Sequence, residues 1–425
     1  MFKAFIFTGG ARLYSAAIML AALVLTARWL GPEGRGVVVV LTTWVTVFAT
    51  VSYLSLGQVC IYRAANDQGM SWLGEALGSL LLVTAAMTAV GWIGVTFLWY
   101  FYGEDLFASL SVVHILLAFA ALPFLIWENY NSALLTIVGR VQLYNAAQFA
   151  GRTLTLVLLV ILIYLLEWSI QGYLIAFLLG QAVVALAGIT MLLRQAEVVR
   201  TSLGAVGRLV GDGAKLHLNA IGVILFSGVD LLMLQYFRGP VEAGLFQFAH
   251  QISIGLMVLP QAMLLLLNGK VRTMTRTQFW SLHQRAMLLM LLGLAAAAAI
   301  LAACADWLVV LLAGGDFAPS GRLLAILCLA VVPAAFSMLM GLQWITRGLF
   351  VETSVLTIAT GLGNIGLNLF LIPRYGAEGA AWAIVLSYCA IPLVTNILFA
   401  LRINAAPEAT VRFSRRAEAA EVRHP

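Results

Sequence analysis

Four ionisable residues lie deep inside apolar stretches of this sequence: Glu128, Arg152, Asp230 and His250. A charge at the centre of a bilayer costs about 2.5 to 3.5 kcal/mol on insertion scales, so such residues face a cavity or a partner. Glu128 stands about as far before a turn at Arg140 as Arg152 stands after it, so antiparallel helices bring the two to a similar depth. One reading is a buried ion pair that fixes helix packing; the other is a polar cavity wall where Arg152 meets an anionic substrate group. Asn129, Tyr130, Asn131 and Gln148 nearby favour a wet wall. Asp230 and His250 flank a second turn, at Gly239, in the same way. A carboxylate beside an imidazole can accept a coupling proton. The alternative is a hydrogen-bonded packing role, with Gln247 and Gln251 at helical spacing around His250.

Arg12 sits about one turn inside the first apolar run, where its side chain either snorkels to the interface or catches phosphate at a cavity mouth. His217 and Asn219, with Lys215, can join that mouth or anchor a helix end. Trp29, Trp72, Trp99, Tyr100, Trp168, Trp280 and Trp307 fall near helix ends and suit an interfacial belt.

Other chemistry is not signalled. The sequence carries no P-loop, HExxH, GxSxG or CxxC motif, so neither enzymatic activity nor a cofactor is expected. Cys60, Cys304, Cys328 and Cys389 show no ligand spacing and read as small packing residues, with no metal. The pI near 9.3 does not come from a nucleic-acid-reading cluster, because the basic residues are spread between apolar runs.

The elements that hold these residues are membrane helices. Of the 425 residues, 62% are hydrophobic and 10% charged, against about 25% charged in a soluble domain. Apolar runs recur near 9–30, 37–61, 73–101, 109–138, 143–166, 170–193, 214–236, 241–267, 286–313, 321–346, 351–372 and 377–401. Each is long enough to cross a hydrocarbon core of about 30 Å. The first reads as a retained helix, because Arg28-Trp29-Leu30-Gly31-Pro32 is not a small-residue cleavage site. With a cytoplasmic N-terminus, loops on that side hold about 19 of the 24 Lys and Arg, leaving Arg28, Arg35, Arg238, Arg322 and Arg374 opposite. That asymmetry predicts both termini inside. No loop is long enough for a folded domain of about 50 residues, so function is expected among the helices.

The sequence also repeats. Gly31-Pro32 with Gly36 recurs as Gly239-Pro240 with Gly244, 208 positions later. Near the same offset, Asp105-Leu106-Phe107-Ala108-Ser109 matches Asp316-Phe317-Ala318-Pro319-Ser320, Pro123 matches Pro333, and Gly172 matches Gly379. The expected fold is therefore all-α and integral to the membrane, about twelve helices in two parallel-repeat lobes of six. The boundaries are an N-terminal lobe over 1–195, a cytoplasmic linker over 196–213, a C-terminal lobe over 214–402 and a cytoplasmic tail over 403–425, whose Arg residues suit anionic lipid. A path for substrate is expected between the lobes.

Asn364-Ile365-Gly366-Leu367-Asn368-Leu369-Phe370-Leu371-Ile372-Pro373-Arg374-Tyr375-Gly376-Ala377-Glu378-Gly379-Ala380-Ala381 resembles the penultimate helix, and its turn into the last, of the polysaccharide transporter branch of the MOP superfamily. That branch includes Wzx-type O-antigen flippases and is related to lipid II flippases and MATE exporters. Arg28-Trp29-Leu30-Gly31-Pro32 with Gly36, and Gly239-Pro240 with Gly244, Phe248 and Ala249, support the resemblance, which covers nearly the whole chain. It implies a V-shaped, two-lobe flippase of the bacterial inner membrane that moves lipid-linked oligosaccharide by alternating access. Its expected surroundings are membrane lipids, a polysaccharide polymerase and glycosyltransferases, and no nucleic acid. The rival readings are a MATE-like cation exporter and a membrane-embedded glycan polymerase. On the flippase reading Arg152, Glu128, Arg12, Asn131 and Gln148 line the substrate cavity, Asp230 and His250 hold a coupling ion, and Gly31, Pro32, Gly36, Gly239, Pro240, Gly244, Gly376 and Gly379 form structural turns.

Overall fold

A computed structural model describes residues 2–405 apart from 67–71, 108–109, 197, 218–221, 223–227 and 272–273. The side chains of 2–16, 65–66, 104–105, 215–216 and 265 also lie outside that description, and so do Arg12, Lys215, Asn219 and the 406–425 portion of the tail. All regular structure among the described residues is helical. Nine helical runs there are long and apolar enough to cross a membrane. Two of them, Ala17–Ser52 and Phe350–Ala405, are double-length and break at Gly31 and Gly376. Counting each as two spans gives eleven among the described residues, beside the shorter helix Val229–Arg238. The chain is a multi-pass membrane protein.

The breaks show why the repeated glycines are needed. Gly31 has φ 66 and ψ −178, and Gly239 has φ 86 and ψ −177. Both lie in a backbone region open essentially to glycine alone. The next residue in each case is proline, whose fixed φ suits a first helical turn and whose missing N–H is not needed there. One tight reversal is thus built twice, once in each lobe. Gly376 (φ 57) makes the corresponding turn into the last span. There Glu242 reaches across to accept the Ala377 N–H at 2.7 Å, and Gly379 lies against the Leu371 carbonyl.

Several segments differ from the sequence reading. The span expected over 37–61 breaks at Leu54 and Ser55, both with positive φ, and resumes as Leu56–Asn66. The span expected over 286–313 begins earlier, as Arg276–Ala303, because a Thr275–Gln278 capping box starts the helix in a polar stretch that a hydropathy window excludes. It continues, after a break at Cys304, as Ala305–Ala313. The described residues of the expected linker pack on the bundle. The linker backbone lies across the helix Trp72–Leu106, where Gly74 and Gly78 meet the carbonyls of Val198 and Arg200. Ser202 then caps the amphipathic helix Leu203–Leu216, its hydroxyl accepting the Ala205 N–H at 3.1 Å. Arg208 of this helix pairs with Glu75 at 3.7 Å.

Water cannot drive helices together inside a bilayer, so close packing and small residues must. The lobes meet on that principle. Gly36 lies on the carbonyl of Pro240 and Gly244 on the carbonyl of Pro32, a reciprocal contact between repeat-related helices with no room for a Cβ on either side. At the same end of the bundle Arg28 donates to the carbonyls of Leu311 and Leu312, at 2.7 and 2.8 Å, and so caps a C-lobe helix end from the N-lobe.

Candidate functional site

Beyond the Gly36–Pro240 contact the lobes part, leaving a cavity of about 340 Å3. One wall is the helix after Gly31, presenting Arg35, Thr42, Thr46 and Thr50; the other carries Asp230, Gln247, His250 and Gln251. Thr42 and Thr50 are eight residues apart, about 12 Å along the helix at 1.5 Å per residue, so the cavity runs lengthwise away from the closed end.

Arg35 marks the apex. It is 5% exposed, donates to Gln247 Oε1 of the opposite lobe at 2.6 Å, and also donates to Thr26 Oγ1. Its Nε is buried and has no hydrogen-bond partner, and among the described residues no carboxylate pairs with it. A buried guanidinium whose contacts are all neutral is a strong attractor for an anion entering the cavity. The sequence reading placed Arg35 in a loop beside Gly31-Pro32. The structure corrects this, because the turn at Gly31 lets the helix begin at once and puts Arg35 in its first turn, facing the opposite lobe.

The threonines make a second feature. Thr42 donates its hydroxyl to Val38 O at 2.9 Å, Thr46 to Thr42 O at 2.7 Å and Thr50 to Thr46 O at 2.7 Å. With each proton committed to its own helix, the oxygens along the cavity wall offer lone pairs. They form a ladder of acceptors leading towards Arg35.

Asp230 and His250 line this same cavity, as well as an adjoining one of about 150 Å3 inside the C-lobe. Asp230 is 3% exposed and stands in the first turn of the helix Val229–Arg238. His250 stacks on Phe246, ring centroids 5.5 Å apart. The two residues share a space without bonding to one another.

The group from the fourth and fifth expected spans lies elsewhere. Glu128 accepts from Gln148 Nε2 at 2.5 Å, and Gln148 also reaches the Tyr144 hydroxyl at 3.0 Å. Arg152 acts on Glu128 through space and forms no ion pair with it, so the partner of the carboxylate is an amide rather than the guanidinium expected from depth alone. None of Glu128, Gln148 and Arg152 lines the cavity between the lobes. Asn131, fully buried, ties two helices of the N-lobe by donating to Val184 O at 3.0 Å and Ala185 O at 3.3 Å, and its side chain fills the space over Gly188. Equal depth does not determine azimuth: Asn131 points into the N-lobe, and none of these side chains lines the cavity between the lobes. His217, also outside the cavity, is buried with Nδ1 at 3.0 Å from Ser55 Oγ. The repeated Thr at i, i+4 and the Arg one residue before Gly36 were the signals available for the true lining.

No family model matches the sequence, and a comparison with curated proteins gives no match either. Solved structures do match over nearly the full length. The inward-facing conformation of a multidrug resistance MATE family transporter of the MOP superfamily overlays with a TM-score of 0.74 at 17% identity, covering 91% of this chain and 95% of that one. The lipid II flippase MurJ in an inward closed conformation gives 0.77 at 13% identity, covering 93% and 87%. An outward-facing conformation of a MATE family transporter of the MOP superfamily gives 0.60 at 16% identity, covering 94% and 96%. The fold of this chain is the one shared by MATE transporters of the MOP superfamily and the lipid II flippase MurJ.

Proposed function

We propose that this protein is a transporter without enzymatic activity that flips polyprenyl diphosphate-linked oligosaccharide from the cytoplasmic to the outer leaflet of a bacterial inner membrane, for surface polysaccharide assembly. The observation that carries this reading is Arg35, a buried cation with neutral partners at the closed apex of the inter-lobe cavity. A diphosphate would supply the missing countercharge. The threonine acceptors along the approach suit sugar hydroxyls, which are donors. With both termini inside, as the Lys and Arg distribution favours, the parted end faces the cytoplasm, where such lipids are assembled by glycosyltransferases. A polymerase would take the glycan on the other side.

Two negative charges moved outward through the full field of an inside-negative membrane gain about 4.6 kcal/mol per 100 mV. The potential is therefore a sufficient driving force, and ion exchange at Asp230 or His250 adds to it. Lobe rocking about the glycine contact would break the Arg35–Gln247 bond and open the opposite end.

A second reading, a MATE-like cation exporter, is favoured by Asp230 in the same cavity, since a carboxylate and a row of acceptors also suit an ammonium group. Proteoliposomes decide between the two. Outward movement of a fluorescent polyprenyl diphosphate oligosaccharide, followed with and without an imposed potential, is expected for the wild type and lost in Arg35→Gln. Absence of any such flipping, with cation efflux lost in Asp230→Asn, would establish the exporter instead.

A further inference from the structure

The cavity of about 150 Å3 that holds Asp230 and His250 runs from the space between the lobes into the C-lobe and reaches Tyr388 of the helix Phe350–Cys389. Tyr388 also lines a third cavity, of about 190 Å3, between the helices Pro319–Thr346, Phe350–Cys389 and Ile391–Ala405. Trp344, Thr353, Thr357, Thr360 and Asn396 line it as well. Trp344 and Thr353 each stand within about one turn of a helix end on the parted side of the bundle, and Thr360 lies about 10 Å deeper than Thr353 at 1.5 Å per residue. The two C-lobe cavities therefore lie in series from that side to Asp230, with Tyr388 between them. Among the described residues, none lines both the third cavity and the space between the lobes.

The lining is neutral and rich in oxygen. Thr353 donates its hydroxyl to Leu349 O at 2.8 Å, Thr357 to Thr353 O at 3.0 Å and Thr360 to Leu356 O at 2.7 Å, so each hydroxyl oxygen keeps lone pairs to offer. The Trp344 indole N–H is taken up by Asn396 Oδ1 at 2.8 Å. Among the described residues lining the third cavity there is no Lys, Arg, Asp or Glu, and Asp230 is the one carboxylate among those lining the second. Such a path repels no cation and gives an anion few donors. The backbone points the same way. The helix of the last span stops at Cys389, Ala390 takes φ −81 and ψ −106, and a new helix starts at Ile391 with Pro392, which has no N–H. Inside a bilayer a broken helix is tolerated where it is buried in protein or lines a water-filled cavity. Pro392 lines the third cavity, and the negative end of the helix closing at Cys389 lies beside Tyr388, where the two cavities meet.

We propose that these two cavities form a path by which a small monovalent cation reaches Asp230 through the C-lobe, separate from the space between the lobes through which cargo moves. The path presupposes Asp230 as the ion-exchange site and holds for any cargo. It lets the ion bind or leave while cargo fills the space between the lobes, so the two need not pass each other.

The test is thiol labelling of the full-length purified protein in detergent, without cargo, with Cys60, Cys304, Cys328 and Cys389 replaced by alanine. A small cationic methanethiosulfonate is expected to label Thr360→Cys at least about tenfold faster than an anionic one of similar size. Asp230→Asn should lower that preference. Gly341→Phe puts a ring into the third cavity at a position where a Cβ meets nothing within 4 Å, so it fills the path without a clash at its root. It should slow labelling of Thr360→Cys at least about tenfold while Thr353→Cys, at the mouth, stays reactive. Thr357→Trp blocks the same path from another helix and serves if Gly341→Phe does not fold. Val47→Trp, which fills the space between the lobes, should change neither rate. Labelling of Thr360→Cys that survives the plugs but is lost in Val47→Trp would overturn the separate path. So would a preference for the anionic reagent, a preference unchanged in Asp230→Asn, or no labelling of Thr360→Cys in folded protein. With no cargo present, failure of the flipping assay and failure of this one are told apart.

Discussion

Gly36 lies directly on the carbonyl oxygen of Pro240, and the same contact recurs with the lobes exchanged, Gly244 on Pro32. A Cβ at either glycine would collide with backbone that cannot move aside. Gly36→Ala is therefore expected to destabilise the closed end by about 1 to 3 kcal/mol, as overpacking does. Spin labels on the two lobes at that end should show a longer distance in the variant than in the wild type. An unchanged distance distribution would mean that the contact does not hold the lobes.

Arg28 closes the same end through the carbonyls of Leu311 and Leu312, and it is exposed, so its loss costs less. Arg28→Ala should increase the population open at that end without lowering the unfolding temperature by more than a few degrees. Accessibility of a cysteine placed near Gly314 to a membrane-impermeant thiol reagent measures this.

At the cavity apex, Arg35→Gln keeps hydrogen-bonding capacity but removes the charge. Flipping of a diphosphate-linked lipid should fall by at least about tenfold, the cost of a lost charge-assisted contact, while size-exclusion behaviour stays that of the wild type. Retained flipping would remove Arg35 from the substrate path.

The threonine ladder separates glycan from phosphate recognition. Replacing Thr42, Thr46 and Thr50 together by valine preserves shape and removes the acceptors. The expected result is slower movement of glycosylated lipid with little change for bare polyprenyl phosphate. Equal effects on both would assign the ladder to the helix alone.

Asn131→Ala tests the corrected placement of that residue. Loss of its two bonds to Val184 and Ala185 leaves a buried void over Gly188, with an expected cost of about 1 to 3 kcal/mol. Substrate selectivity should be unaffected, as measured by relative flipping rates of two different lipid-linked glycans in the residual folded protein.

Hydropathy and the doubled Gly-Pro pattern determined the membrane class, the repeat and the reversals at Gly31 and Gly239, because each is a local property, while the turn at Gly376 was legible only from the family resemblance of its stretch. Bilayer thickness sets span length, and a backbone turn open only to glycine sets the residue. The sequence also brought Asp230 and His250 to one depth, which a shared turn at Gly239 requires. Azimuth was decided only by tertiary packing. Glu128, Arg152, Asn131 and Gln148 have the depth of a cavity wall, but the rotation of their helices turns them elsewhere, and that rotation depends on every neighbour packed against them. Arg35 was hidden for the converse reason. Beside a Gly-Pro turn it reads as a loop cation, and only the close approach of two helices, allowed by Gly36 and Gly244, makes it the apex of the space between the lobes.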